Sequence, residues 1–171
     1  MAIALLVVSF TSGFQTPEKI TDASCKIEVI PGHAHNDYEN KHPLQDALNN
    51  GFISVEADVH LLEDQLYVAH DHPKKLKPEM TLESLYLDPL KEHIARHNGH
   101  IYPNYDGSFY LMIDFKTAAE PSYNKLKSVL KDYISMLSVV KDGKEKQRPV
   151  KIFISGNRPF KQILDDEPKL A

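Results

Sequence analysis

Four short apolar runs, each closing on polar residues and separated by helix-like stretches, constrain this chain more than any other feature. The runs are Lys26–Pro31, Phe52–Val59, Ser108–Phe115 and Val150–Ser155. Between them, Pro43–Asn50 reads as a helix with Pro43 in its first turn, Leu44, Ala47 and Leu48 on its apolar face, and Asn50-Gly51 at its end. Thr81 can cap a helix running to His97, interrupted near Asp88-Pro89 and closed by Asn98-Gly99. Tyr123–Val140 predicts another helix, the lysines around Asp142-Gly143 an exposed loop, and Pro159 the start of a last helix. Gln65–His70 is also strand-like. The loop before it is too short for a parallel crossover, so it folds back as a hairpin. Strands alternating with helices predict an α/β fold on a parallel sheet.

The polar residues cluster where such a sheet needs them. In (β/α) barrels, active residues sit at the C-terminal ends of the strands. Here His33 and His35 follow the first strand, Glu56 and Asp58 end the second, Asp114 and Lys116 the third, and Asn157 and Arg158 follow the fourth. The spacing of Glu56 and Asp58 puts both carboxylates on one strand face, with Val55, Ala57 and Val59 on the other. Two carboxylates that close repel unless a cation neutralises them, and hard oxygen ligands favour Mg²⁺ or Ca²⁺. An edge strand with solvated acids is the bland alternative, and Asp114 on a neighbouring strand argues against it.

His33 and His70, the latter followed by Asp71, are candidate proton-transfer groups, since an imidazole titrates near neutrality. Lys116 can hold a phosphate oxygen, pair with Asp114, or both. His42, His60, His72, His93, His97 and His100 read as surface or packing residues.

Composition excludes other classes. A net charge of -4 offers no basic surface for nucleic acid, and the single cysteine, Cys25, permits no intrachain disulfide. The apolar run Ala2–Phe10, followed by Thr11-Ser12-Gly13, suits a secretory signal within residues 1–20, and implies a secreted or periplasmic protein. A buried N-terminal strand is the alternative. The run is too short to span a bilayer.

The ordered motifs carry a resemblance. Gly32-His33-Ala34-His35-Asn36-Asp37-Tyr38-Glu39, Pro43–Leu48, Gly51–Val59 with its Glu-x-Asp, and Leu66–Asp71 together resemble the glycerophosphodiesterase and phosphoinositide phospholipase C superfamily. They are most similar to the branch containing altered inheritance of mitochondria protein 6, as are Ser84–Leu90 and Ile154–Asn157. The resemblance implies a metal-dependent phosphoric diester hydrolase acting on a glycerophosphodiester or phospholipid head group. Glu56, Asp58 and Asp114 would hold the divalent cation, and His33 and His70 would be the acid–base pair. Asp114-Phe115-Lys116 is similar to the sphingomyelinase D relatives, which use aspartate with a lysine two places on. His35-Asn36 departs from the Arg-Gly of glycerophosphodiesterases, which leaves open whether His33 or His35 is the catalytic equivalent.

Residues 26–171 would then form about the first half of a TIM (β/α)8-type barrel: four principal parallel strands plus a hairpin strand. Half a barrel has unpaired sheet edges, so self-association is expected, with weak or no activity in the chain alone. Two rivals stand beside this reading. One is a non-catalytic homologue that binds a phosphorylated ligand or partner. The other is a His-x-His metal hydrolase of amidohydrolase type, built on His33-Ala34-His35.

Overall fold

The computed structural model describes residues 27–170. Its strands are β1 (Ile30–Ala34), β2 (Phe52–Leu62), β3 (Gln65–Val68), β4 (Phe109–Phe115), β5 (Val139–Lys141), β6 (Lys144–Lys146), β7 (Val150–Gly156) and β8 (Lys169–Leu170). The α-helices are α1 (Gln45–Asn49), α2 (Asp88–Arg96), α3 (Ala119–Leu130) and α4 (Phe160–Asp165). The main sheet runs β1-β2-β4-β7, all parallel, and β3 adds antiparallel to the far end of β2. A small antiparallel sheet, β6-β5-β8, lies off this path. The protein is therefore a mixed α/β fold on a four-stranded parallel sheet, with the expected hairpin.

Alternation along the strands gives the sheet two unlike faces. Val55, Ala57 and Val59 of β2, Leu111, Ile113 and Phe115 of β4, and Val150 and Ile152 of β7 point one way and are buried. They join Leu48 of α1, Leu90 of α2, and Leu126 and Leu130 of α3 in the hydrophobic core. The opposite face is laid out in rows by the register. Ser54, Tyr110 and Lys151 lie side by side, then Glu56, Met112 and Phe153, then Asp58, Asp114 and Ser155. Below the aspartates this face carries the apolar side chains of Tyr110, Met112 and Phe153 and is open at Phe153, which is 52% exposed and packs on Tyr110 at 5.4 Å between ring centroids.

Several boundaries differ from expectation for local reasons. The first strand does not stop at Pro31-Gly32 but runs through them to Ala34, with an irregularity between Ile30 and His33. β1 is the sheet edge, where a proline's missing N–H is tolerated. Leu44 has φ 62°, so α1 begins after it rather than at Pro43. Gly51 ends that segment as expected: at φ 77° a Cβ would strike the carbonyl oxygen of Glu28. β2 continues to Leu62, three residues beyond Val59, because the hairpin with β3 extends it. The third predicted helix ends at Leu130 rather than Val140. Val139-Val140 is instead a strand, and Asp142 and Gly143, both at positive φ, turn it back into β6. An Asp-Gly pair between short strands is a hairpin signal that outweighs the helical period. Near Asp88-Pro89 the expected interruption is a π-helical turn, Glu83–Leu87, leading into α2, and Thr81 Oγ1 accepts the N–H of Ser84 at its start. Among the described residues, no helix is long and apolar enough to cross a membrane.

The two faces should respond differently to truncation. Leu111→Ala, under the helices, is expected to cost about 2–5 kcal/mol, whereas Phe153→Ala on the open face should cost about 1 kcal/mol or less, by urea unfolding. Equal losses would show that the open face is covered in solution.

Candidate active site

The parallel ladder between β2 and β4 builds the site. Its register sets Asp58 directly beside Asp114, with Glu56 one row below on the same face. Carboxylate oxygens of Glu56, Asp58 and Asp114 all lie within 4.8 Å of one another. Glu56 and Asp58 are buried and Asp114 is half-buried. Three such carboxylates need compensating charge, and one source is local. Lys116 Nζ lies 3.0 Å from Asp58 Oδ2 and 3.1 Å from Asp114 Oδ1. Burial by itself would lower the lysine's pKa, but the hydrogen bonds to both aspartates outweigh it and hold it above the ordinary value. One ammonium against three carboxylates still leaves the cluster anionic.

Asp58 is the node. Its Oδ2 also accepts the Tyr38 hydroxyl at 2.9 Å and faces His70 Nδ1 at 2.9 Å. In the tautomer that donates Nδ1–H to this carboxylate, the neutral ring keeps Nε2 as an acceptor. His70 reaches this point because β3 runs antiparallel to β2, bringing Ala69 N–H onto the Asp58 carbonyl. Burial first, then the bond to Asp58, push the Tyr38 hydroxyl's pKa well above its usual value, so it serves as a neutral donor. The second oxygen of Asp58, Oδ1, is buried and has no hydrogen-bond partner among the described residues. A buried carboxylate oxygen without a donor is costly, and a cation held by all three acids would satisfy it. Oxygen donors alone suit a hard divalent cation, so the residues present fit such an ion.

The histidines after β1 separate. His33 is exposed, with Nδ1 2.7 Å from Ser54 Oγ, one row below Glu56. His35 Nε2 lies 3.3 Å from Glu56 Oε2, which also accepts the Asn36 N–H. The structure thus brings His35 and His70 to the acids and places His33 beside them, and the two histidines of His-x-His do not share a ligand point. The metal-compatible cluster among the described residues contains no histidine. His60, expected as packing, is buried above Asp58 on the same face, its Nε2 3.3 Å from the His70 carbonyl.

Near the end of β7, Ser155 Oγ donates to Asp114 Oδ2 at 2.9 Å, and just after it Asn157 N–H bonds the Phe115 carbonyl. Arg158 is exposed and lies over the Phe160 ring at 4.5 Å. Sequence reasoning gave no role to Tyr38, Asn36 or Ser155. Tyr38 follows the β1 histidines closely, but only the folded loop turns its hydroxyl onto Asp58.

Carboxylates and a lysine at the C-terminal ends of parallel strands, with an Asp-bound histidine brought in by the antiparallel hairpin, define an α/β protein with a polar cluster where such folds carry their sites. Residues 21–169 match the AIM6-like phosphodiesterase domain, and the chain belongs to that family. It is 32% identical over 165 residues to the altered inheritance of mitochondria protein 6 homolog of Arthroderma benhamiae, covering 84% of this chain and 52% of the relative. To altered inheritance of mitochondria protein 6 of Saccharomyces cerevisiae it is 31% identical over 159 residues, 82% of this chain and 40% of that protein. The Kluyveromyces lactis protein of that name is 33% identical over 178 residues, 85% of this chain and 42% of its own length. The chain therefore spans about half the length of the curated relatives it matches. No solved structure matches it.

These relatives correct one expectation. They are named for the inheritance of mitochondria, a cellular role, and this overturns the reading of a secreted or periplasmic protein. The run Ala2–Phe10 on which that reading rested lies outside the described residues.

The cradle leaves little room at Gly156. Its φ is 65°, and a Cβ there would lie 2.5 Å from Asp114 Oδ1. Gly156→Ala is expected to destabilise the fold by more than about 1 kcal/mol in denaturant unfolding. A neutral substitution would show that the turn after β7 is free to move off Asp114.

Proposed function

We propose that residues 26–171 form about the first half of a (β/α)8 barrel that binds a divalent cation, Mg²⁺ or Ca²⁺, and hydrolyses a phosphodiester such as a glycerophosphodiester or lipid head group. The observation that carries this reading is the buried, unpartnered Oδ1 of Asp58 amid three converging carboxylates. Glu56, Asp58 and Asp114 would be the ligands. A cation bound there supplies positive charge against the phosphate oxygens as negative charge builds on them.

The remaining roles follow from hydrogen bonding. Asp58 holds His70 with Nε2 as the acceptor, so His70 can take a proton from an attacking hydroxyl or water. A second imidazole gives the proton to the leaving alkoxide. His35, just beyond β1 and against Glu56, is better placed for that than His33, which lies within β1 beside Ser54. Lys116 orients a phosphoryl oxygen, and the exposed Asn157 and Arg158 are available to the phosphate at the rim. Family membership supports the phosphodiesterase class.

A second reading is favoured by the open sheet face, where Phe153 stands half-exposed below the acids. The chain would then bind a phosphorylated ligand without turnover. Self-association over the open face is compatible with either reading.

Calorimetry separates the cation reading from its absence. The parent is expected to bind Mg²⁺ or Ca²⁺, and a Glu56→Gln, Asp58→Asn double variant to bind neither. Equal binding by both proteins would refute the assignment. For catalysis, His70→Ala should lower phosphodiester turnover by about a hundredfold or more. A comparable loss in His35→Ala but not His33→Ala would assign the second proton to His35. Cation binding with no turnover on a panel of head-group diesters would favour the binding reading.

A further inference from the structure

The loop that carries Asn36 and Tyr38 to the acids turns through positive φ at both ends and is strained at the second, since asparagine tolerates that region and leucine does not. Asn36 has φ 49°, and Leu44, a bulky residue for which the left-handed region is unfavourable, has φ 62°. Such a loop keeps its shape only if something outside the site over-determines it. The group in position to do so is Asp37, whose side chain is fully buried. Its Oδ2 accepts the backbone N–H of Leu44 and, at 3.0 Å, the hydroxyl of Tyr86. Tyr86 is itself fully buried and belongs to the π-helical turn Glu83–Leu87. π-helical turns inside helices recur at functional sites, where the extra residue re-aims a side chain. Here the turn aims a phenol at a carboxylate one residue away from Tyr38, the donor to Asp58.

We propose that Asp37 and Tyr86 form a latch, remote from the reacting groups, that holds residues 36–44 in the shape that presents Asn36 N–H to Glu56 and Tyr38 Oη to Asp58. They are positioning residues. The latch closes the strained loop from behind, joining its two ends through one carboxylate. Tyr38 then occupies Asp58 Oδ2 from the loop side, while His70 and Lys116 reach the same oxygen from β3 and β4. With three donors on Oδ2, the other oxygen is the one left for a ligand. Burial outweighs the hydrogen bonds at Asp37 and raises its pKa, as expected for an acid shielded behind the loop.

Amide hydrogen exchange on the full chain tests the latch, and Mg²⁺ titration by calorimetry tests its consequence for the site. The second readout alone rests on the cation reading above. Asp37→Leu and Tyr86→Phe are each expected to speed exchange at residues 36–44 by about tenfold, with β4 amides unchanged. In the same two variants, Mg²⁺ should bind about tenfold more weakly. Asp37→Asn keeps an oxygen that can accept both bonds and should stay near the parent in both readouts. Tyr133→Phe removes another tyrosine–aspartate bond, the part-buried one to Asp88, and should alter neither. Should Asp37→Leu fail to fold, Tyr86→Phe, which loses one oxygen, decides the matter. Unchanged exchange in Tyr86→Phe would overturn the latch, and faster exchange with unchanged Mg²⁺ affinity would overturn its positioning role. If the parent binds no Mg²⁺, the cation reading falls alone, and exchange still decides whether the latch exists.

Discussion

Everything at the site depends on one pairing, the parallel register that sets Asp58 beside Asp114. Like charges on neighbouring strands repel, so this register is stable only with compensating groups. The structure supplies them from both sides. Lys116 bridges the two aspartates from the end of β4, and Tyr38 and His70 donate to Asp58 from the loop after β1 and from the hairpin. The apolar face of the same strands carries the opposite role. Val55, Ala57 and Val59 are buried against the helices, so the ladder cannot slip by one residue without exchanging core for charge. Core packing thereby fixes the spacing of the carboxylates.

The division of labour between the faces explains how the sheet can look well packed and incomplete at once. Parallel sheets ordinarily have both faces covered. Here the helix side is closed by α1, α2 and α3, and the other carries Tyr110, Met112 and Phe153 below the acidic row. The buried acids owe their low exposure to the β1 loop and the β3 hairpin leaning over them.

Much of this was legible in the sequence because it depends on period and order. The period-two placement of Glu56 and Asp58, the short link that forces Gln65 onward into a hairpin, and the acids at successive strand ends follow from local pattern alone. What was not legible depends on competition between signals or on distance. The stretch up to Val140 has a helical rhythm, yet Asp142-Gly143 draws Val139-Val140 into a hairpin. Pro31-Gly32 reads as a stop, but an edge strand passes through it. Asp37 and Tyr86 meet across 49 residues, and nothing near either in the sequence announces the contact. His33 and His35 were indistinguishable by residue type. They share one face of the chain, and the parallel register of β1 on β2 sends the first to Ser54 and the second one row further, to Glu56.

The β2–β3 hairpin has a consequence for the order in which the site comes together. A tight hairpin closes within about 1–10 μs, and this one returns His70 to Asp58 through its own short ladder. Asp114 reaches Asp58 only after a far longer loop has closed across a helical crossover, and such non-local pairings form slowly. The aspartate–histidine couple is therefore a locally encoded unit, whereas the distant acid and lysine join it only through a long-range pairing. Asp58 thus belongs to two pairings at once, one that needs only its own hairpin and one that needs the whole sheet.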